Sequence, residues 1–302
     1  MTETAAPAEP IPFRVLLDEA MRQTRRHFGK IYLPVAIPLA VLTAAVVFAQ
    51  AQWMSSFTTG ANSSAVFSGA GCMATVVSAI GALVLQFLSY GVLMAAAADG
   101  ATGRPIDMGP KWGFILQPPV LGTLVISFLA VLVGLIFLVI PGIYIGLMLS
   151  FVMPVMVLES PRGRAAMQRS WELARYNPSN RLATSPATKI FLLYLVAWVI
   201  GWAVGAIIQL PFTAIWGVTV FRQASKGGPV DPQALMEHIK WMQLPTAILS
   251  SLASTAVRLY SSFGVVLLYL DVLRRKEGSD LAAAINARFG QTPPPPPPAA
   301  PA

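Results

Sequence analysis

The chain has 302 residues, of which 55% are hydrophobic and 11% charged, with a mean hydropathy of +0.64. A water-soluble surface needs roughly 25% charged residues to stay solvated; soluble-enzyme, disordered and collagen-like classes are therefore excluded, and a polytopic membrane protein remains. The net charge of +8 needs no nucleic acid to explain it if the basic residues sort to one side of a bilayer.

Residues 1–11 read as a disordered N-terminus. From 12 to 28, Phe13, Leu16, Leu17, Ala20, Met21 and Phe28 share one helical stripe, and Arg14, Asp18, Arg22 and Arg25 the other. This pattern predicts an amphipathic helix on the membrane surface.

A bilayer core about 30 Å thick takes about 20 apolar residues rising about 1.5 Å each. Stretches of that kind lie at 31–53, 72–98, 120–140, 142–158, 190–215 and 244–270, the last with one interior charge, Arg258. Residues 120–158 carry no charge at all, so this run must cross twice. Pro141-Gly142 is the expected turn between its halves, since proline ends a hydrogen-bonded helix and glycine accepts left-handed dihedrals. Thr24-Arg25-Arg26-His27-Phe28-Gly29-Lys30, with Ala49-Gln50-Ala51 behind the first run, has the outline of a twin-arginine signal. The spans that follow it favour an uncleaved signal anchor.

Further amphipathic helices are predicted between the spans. Residues 164–176 align Met167, Trp171 and Ala174. In 229–243, Asp231 and Pro232 form a helix start ahead of Leu235, Ile239 and Met242, an outer-face helix. Ser279 caps a short C-terminal helix bearing Leu281, Ile285 and Phe289. A surface helix leading into a membrane hairpin, three times over, would be a weak internal repeat. Residues 12–290 thus form the membrane domain, and 291–302 an extended polyproline tail with two readings, a spacer, which is favoured, or a ligand for a proline-reading domain.

Positive charge orients the bundle. With six spans, 17 Lys and Arg fall on the side of both termini and three, Arg222, Lys226 and Lys240, on the other. Both termini are therefore expected in the cytoplasm.

Chemistry-bearing residues are sparse. One cysteine, Cys72, precludes an internal disulfide, and the two histidines, His27 and His238, fall on opposite sides of the membrane. No cofactor, metal or catalytic constellation is expected. Arg258 lies 14 residues from Leu244 and 12 from Leu270, which puts a guanidinium near mid-bilayer. Insertion scales set that cost at about 2.5–3.5 kcal/mol. Two readings stand: a binding or permeation site for an anion or lipid headgroup, with Gln86 and Gln209 as polar neighbours, or a structural arginine bonding free backbone carbonyls. Pro34 and Pro38 kink the first span and Pro154 the fourth. Gly142 with Gly146, and Gly201 with Gly205, have the spacing that lets helices approach closely, within one chain or between copies in a homo-oligomer. Trp53, Trp216 and Trp241, and Tyr32, Trp112 and Trp171, read as interfacial anchors at the two boundaries. Asp271, Glu277 and Asp280 beside Arg274, Arg275 and Lys276 form a flank to the last span that could also meet a soluble partner.

Four strings carry a resemblance: Pro141-Gly142-Ile143-Tyr144, the run from Pro154 to Glu159, Arg169-Ser170-Trp171-Glu172-Leu173, and the run from Leu268 to Leu281. They resemble the membrane domain of the glycerophosphoryl diester phosphodiesterase family and its stand-alone bacterial relatives, over about Pro12 to Ala287. The resemblance implies a bacterial inner-membrane protein of many helices. In members that are enzymes, the chemistry belongs to an appended soluble barrel with a metal on His, Glu and Asp. Such a barrel takes about 200 residues or more, so a membrane domain without it is expected here and no catalytic residue carries over.

The expectation is an all-α, six-span integral membrane bundle with amphipathic surface helices, non-enzymatic, lipid-associated or membrane-organising. Arg22, Arg25, Arg169 and Arg175 are its candidate contacts to anionic headgroups. The alternative is a small-molecule or ion transporter or channel with a pathway near Arg258.

Overall fold

A computed structural model describes residues 10–58, 69–177, 184–225 and 232–289. Among these the only regular structure is helical, with no strand: α1 Phe13–Thr58, α2 Gly69–Thr102, α3 Met108–Ile115, α4 Pro118–Phe137, α5 Val139–Met148, α6 Val152–Leu158, α7 Arg164–Ala174, α8 Pro186–Ser225 and α9 Pro232–Phe289. The expected disordered N-terminus and polyproline tail lie almost entirely outside the described residues. Phe13–Ala49, Val84–Thr102, Pro118–Phe137, Val139–Leu158, Pro186–Val218 and Met242–Gly278 are long and apolar enough to cross a membrane. The molecule is an all-α polytopic bundle with six such segments.

The amphipathic stretch at 12–28 is helical as expected, but it runs into the first span without interruption. Gly29 and Lys30 do not stop a helix. Pro34 and Pro38 both sit inside α1, and Pro34 frees the carbonyl of Lys30, the last charged residue before the apolar run. Leu16 and Ala20 are buried against the bundle while Met21 and Phe28 stay exposed. The stretch before the sixth span, from Pro232, and the C-terminal segment to Phe289 are likewise continuous with α9. Of the amphipathic segments, α7 stands as a separate helix.

The two central breaks differ in position from the proline-based expectation. Between the third and fourth spans the chain turns at Leu138, the only residue between α4 and α5, with extended dihedrals of −160° and 131°. Pro141 lies in the first turn of α5, where its missing N–H would have had no intrahelical acceptor. Gly142 matters through close packing: a Cβ there would fall 2.5 Å from the backbone nitrogen of Leu135, and one on Gly134 would fall 2.9 Å from the Cα of Gly142. In the fourth span the interruption is at 149–151, ahead of Pro154. Pro154 cannot donate to the carbonyl of Ser150, so the helix loosens there and restarts as α6.

Helix α9 is the hub. It packs most extensively on α1, and also on α8 and α2, with Leu259, Phe263, Val266 and Tyr269 fully buried. Its crossing with α8 is close: a Cβ on Gly264 would meet Leu193 Cδ2 at 2.6 Å. The α4–α5 hairpin is peripheral, and its apolar tip is open, with Phe137 79% and Ile140 80% exposed.

Candidate functional site

One end of the bundle gathers the charges. Lys189 Nζ at the start of α8 donates to the Ile11 carbonyl at 2.7 Å. Arg169 of α7 donates to Glu277 of α9 at 3.3 Å, and His27 of α1 stacks on Phe263 of α9 at 6.1 Å, beside Gly100 of α2. These contacts set the N-terminus of α1, the C-terminus of α2, α7, the start of α8 and the far part of α9 at the same level.

Within that end, Glu159 at the C-cap of α6 is held from two sides. Arg169 Nε donates to its Oε2 at 2.9 Å, and the Tyr269 hydroxyl donates to its Oε1. Tyr269 is fully buried, with its ring edge-on to Phe151 at 5.7 Å. Burial alone would lower the pKa of Arg169, but the bonded Glu159 carboxylate outweighs it and holds the guanidinium above its ordinary value. Ser170 Oγ donates to the Met148 carbonyl at 2.7 Å, which satisfies a carbonyl at the end of α5. The turn from α6 to α7 is strained at Ser160, a non-glycine residue with φ of 70°, a cost of order 1–3 kcal/mol that surrounding contacts must overcome. Those contacts are the Glu159 bonds and the Gly163 N–H, which donates to Thr123 Oγ1 at 2.8 Å.

Other acids at this end are also engaged. Arg275 donates to Asp271 at 2.7 Å, with both side chains 6% exposed. Lys111 pairs with Asp99, which ties the end of α2 to α3. Asp107 caps α3 through the Gly109 N–H. Glu172 lies 3.6 Å from Lys276.

Of the four candidate headgroup arginines, Arg22, Arg25 and Arg175 are exposed. Arg22 also pairs with Glu19 at 2.5 Å, its side chain 76% exposed. Arg169 is different, being drawn inward by Glu159 and Glu277.

In the membrane interior, Arg258 Nη1 donates to the Gln86 backbone carbonyl at 3.4 Å and to Ser89 Oγ at 3.5 Å. The carbonyl of Gln86, and not its side-chain amide, therefore meets the arginine. Gln209 is exposed, its carbonyl accepting from Thr213 at 2.9 Å, and no described hydrogen bond joins it to Arg258. One turn along α2, the Tyr90 hydroxyl lies 2.8 Å from that of Tyr194 on α8.

Tyr90, Tyr194 and Ser150 form part of the wall of a cavity of about 530 Å³ between α2, α4, α5, α6 and α8. Arg258 does not line it. Sequence reasoning missed this cavity and the Glu159 clamp, because both join positions far apart in the chain. The only local signal was the conjunction of an acid at the end of one span with a tyrosine near the end of another.

Gly142 and Gly146 both face α4 of the same chain, a Cβ on Gly146 coming 3.7 Å from Val131. Gly205 faces open space, and a Cβ on Gly201 would only graze Val257 at 4.0 Å. Among the described residues no three His, Cys, Asp or Glu side chains gather as a metal site. The side chains of Cys72 and His238 lie outside those described.

Fold and site together define a polytopic α-helical membrane protein with a charge-clamped end and an apolar cavity. Comparison with family models, curated proteins and solved structures gives no match to the chain.

Proposed function

We propose that this is a non-enzymatic protein of the bacterial inner membrane with both termini in the cytoplasm. In this reading it is a stand-alone relative of the glycerophosphoryl diester phosphodiesterase membrane domain and associates with anionic lipid. One observation carries the lipid reading. At the clamped end Asp99, Glu159 and Asp271 are engaged by partners within the bundle, whereas Arg25, Arg26, Arg162, Arg164 and Arg175 are exposed. The surface offered to the membrane there is basic, which attracts anionic headgroups by about 1 kcal/mol per Lys or Arg near the surface. The family reading is supported by Glu159, Arg169 and Tyr269, which come from three separate strings of the resemblance and meet in one network.

The test is native mass spectrometry of the purified chain with phosphatidylglycerol. The Arg22→Gln/Arg25→Gln/Arg175→Gln variant is expected to retain less of it; unchanged retention would overturn the reading. Arg169→Gln is a poor probe because it also unpairs Glu159.

A transporter or channel with a pathway near Arg258 is the competing reading. It draws on one observation, that no acid pairs with Arg258 among the described residues. Anion flux into proteoliposomes that vanishes in Arg258→Leu would favour it over the lipid reading.

A further inference from the structure

The cavity has the size of a ligand site, about 530 Å³ against the range of about 300–1,000 Å³ for small-molecule pockets. Its α4 wall is one helical face, Leu124, Ser127, Phe128, Val131 and Leu135. That face covers 12 residues, roughly 16 Å from first to last at helical rise, close to one leaflet of a core about 30 Å thick. The opposite rim belongs to α8, where Trp198 is 66% exposed, and the mouth includes Ile143 at 43%. The cleft therefore opens sideways into hydrocarbon between the α4–α5 hairpin and α8.

Its polar atoms ask nothing of an occupant. The Tyr90 and Tyr194 hydroxyls bond each other at 2.8 Å, Ser150 donates to the Gly146 carbonyl at 2.8 Å and Ser127 to the Thr123 carbonyl at 2.8 Å, so every hydroxyl in the wall already has a partner within the bundle. An apolar cavity of this kind excludes water, so the matching occupant is a hydrocarbon chain.

The deep end of the cleft adjoins positive charge. Thr123, the residue before Leu124, accepts from the Gly163 N–H at 2.8 Å, which places the turn bearing Arg162 and Arg164 beside the cleft. Both arginines are exposed, Arg162 lying 6.0 Å over the Phe114 ring. Neither forms an ion pair among the described residues.

We infer that the cleft between the α4–α5 hairpin and α8 binds one anionic phospholipid, an acyl chain along Leu124 to Leu135 and the phosphate at Arg162 and Arg164. The inference rests on the lipid-associated reading and gives it a specific site.

The experiment uses the full chain in nanodiscs with phosphatidylglycerol or phosphatidylcholine carrying a diazirine at the same mid-chain carbon, and labelled residues mapped by mass spectrometry. Label is expected on Val131, Ser150 and Met153, with phosphatidylglycerol favoured roughly thirtyfold for two basic contacts. That preference falls toward parity in Arg162→Gln/Arg164→Gln, a surface change that leaves the core intact. Gly146→Leu, which fills the cleft, should remove label there while Ile207 and Leu210 on the outer face of α8 keep it. Cleft labelling no higher than at Ile207 and Leu210, or a phosphatidylglycerol preference unmoved by the double arginine variant, overturns the inference. Either result leaves the broader lipid reading to its own test, retention in the Arg22, Arg25 and Arg175 variant.

Discussion

Tyr269 of α9 donates its hydroxyl proton to Glu159, 110 positions earlier at the end of α6. The second oxygen of the same carboxylate takes Arg169 of α7. Three helices are thereby fixed at the level where the chain leaves the apolar layer. The arrangement explains how a turn with a non-glycine residue at positive φ, Ser160, persists.

Tyr269→Phe removes the hydroxyl and leaves the buried ring in place. Since hydrogen bonds to charged groups contribute about 1.5–3 kcal/mol, a loss of that order is expected in thermal unfolding of the detergent-solubilised protein. Arg169→Ala should also destabilise, and the double variant should lose less than the sum, because both act through one carboxylate. Strict additivity would show that the two bonds are independent and that the clamp is not a unit.

The α4–α5 hairpin separates two glycines that look alike in sequence. Gly142→Ala puts a methyl 2.5 Å from the Leu135 backbone nitrogen, whereas Gly146→Ala puts one 3.7 Å from Val131. Overpacking against backbone costs typically about 1–3 kcal/mol. Gly142→Ala is thus expected to lower the melting temperature clearly and Gly146→Ala to leave it nearly unchanged. Equal effects at both positions would mean that the hairpin is not this close.

The spans were legible because a bilayer imposes length and charge exclusion on every crossing helix, a local property that the runs from Ile31, Cys72, Val120, Ile190 and Leu244 carry openly. The breaks were less so. Pro141 and Pro154 mark interruptions, but a proline acts on the carbonyl four residues back and fits the first turn of the next helix, so the chain opens at Leu138 and at 149–151. The separation of surface helix from span at Lys30 was overstated, since an amphipathic stripe and an apolar cylinder can share one axis when no residue between them disfavours a helix. The Glu159 clamp joins α6, α7 and α9, the Tyr90–Tyr194 pair joins α2 and α8, and the cavity is walled by α2, α4, α5, α6 and α8, so no window of sequence contains them.

Asp99 is 5% exposed, and its ion-pair partner is Lys111 on the short helix that follows α2. Lys111→Met leaves that carboxylate buried without its cation. Breaking one side of a buried pair costs about 3–5 kcal/mol, so poor expression or a sharply lowered melting temperature is expected. Asp99→Asn combined with Lys111→Met should recover much of the loss. If the single lysine variant is as stable as the parent, Asp99 is solvated from another side.

Arg258 tests the difference between a residue kept for the fold and one kept for a task. Its hydrogen bonds to Gln86 and Ser89 are long, 3.4 and 3.5 Å, and no acid neutralises it among the described residues. Holding an arginine at that depth costs about 2.5–3.5 kcal/mol on insertion scales, more than two bonds at the outer edge of hydrogen-bond distance return, each falling well short of the roughly 1.5–3 kcal/mol of a well-formed bond to a charged group. Arg258→Leu is therefore expected to raise the melting temperature in detergent and in nanodiscs, with folding and lipid retention preserved. A fall in stability would show that the guanidinium ties α9 to α2 more firmly than these distances indicate, and would make its role structural.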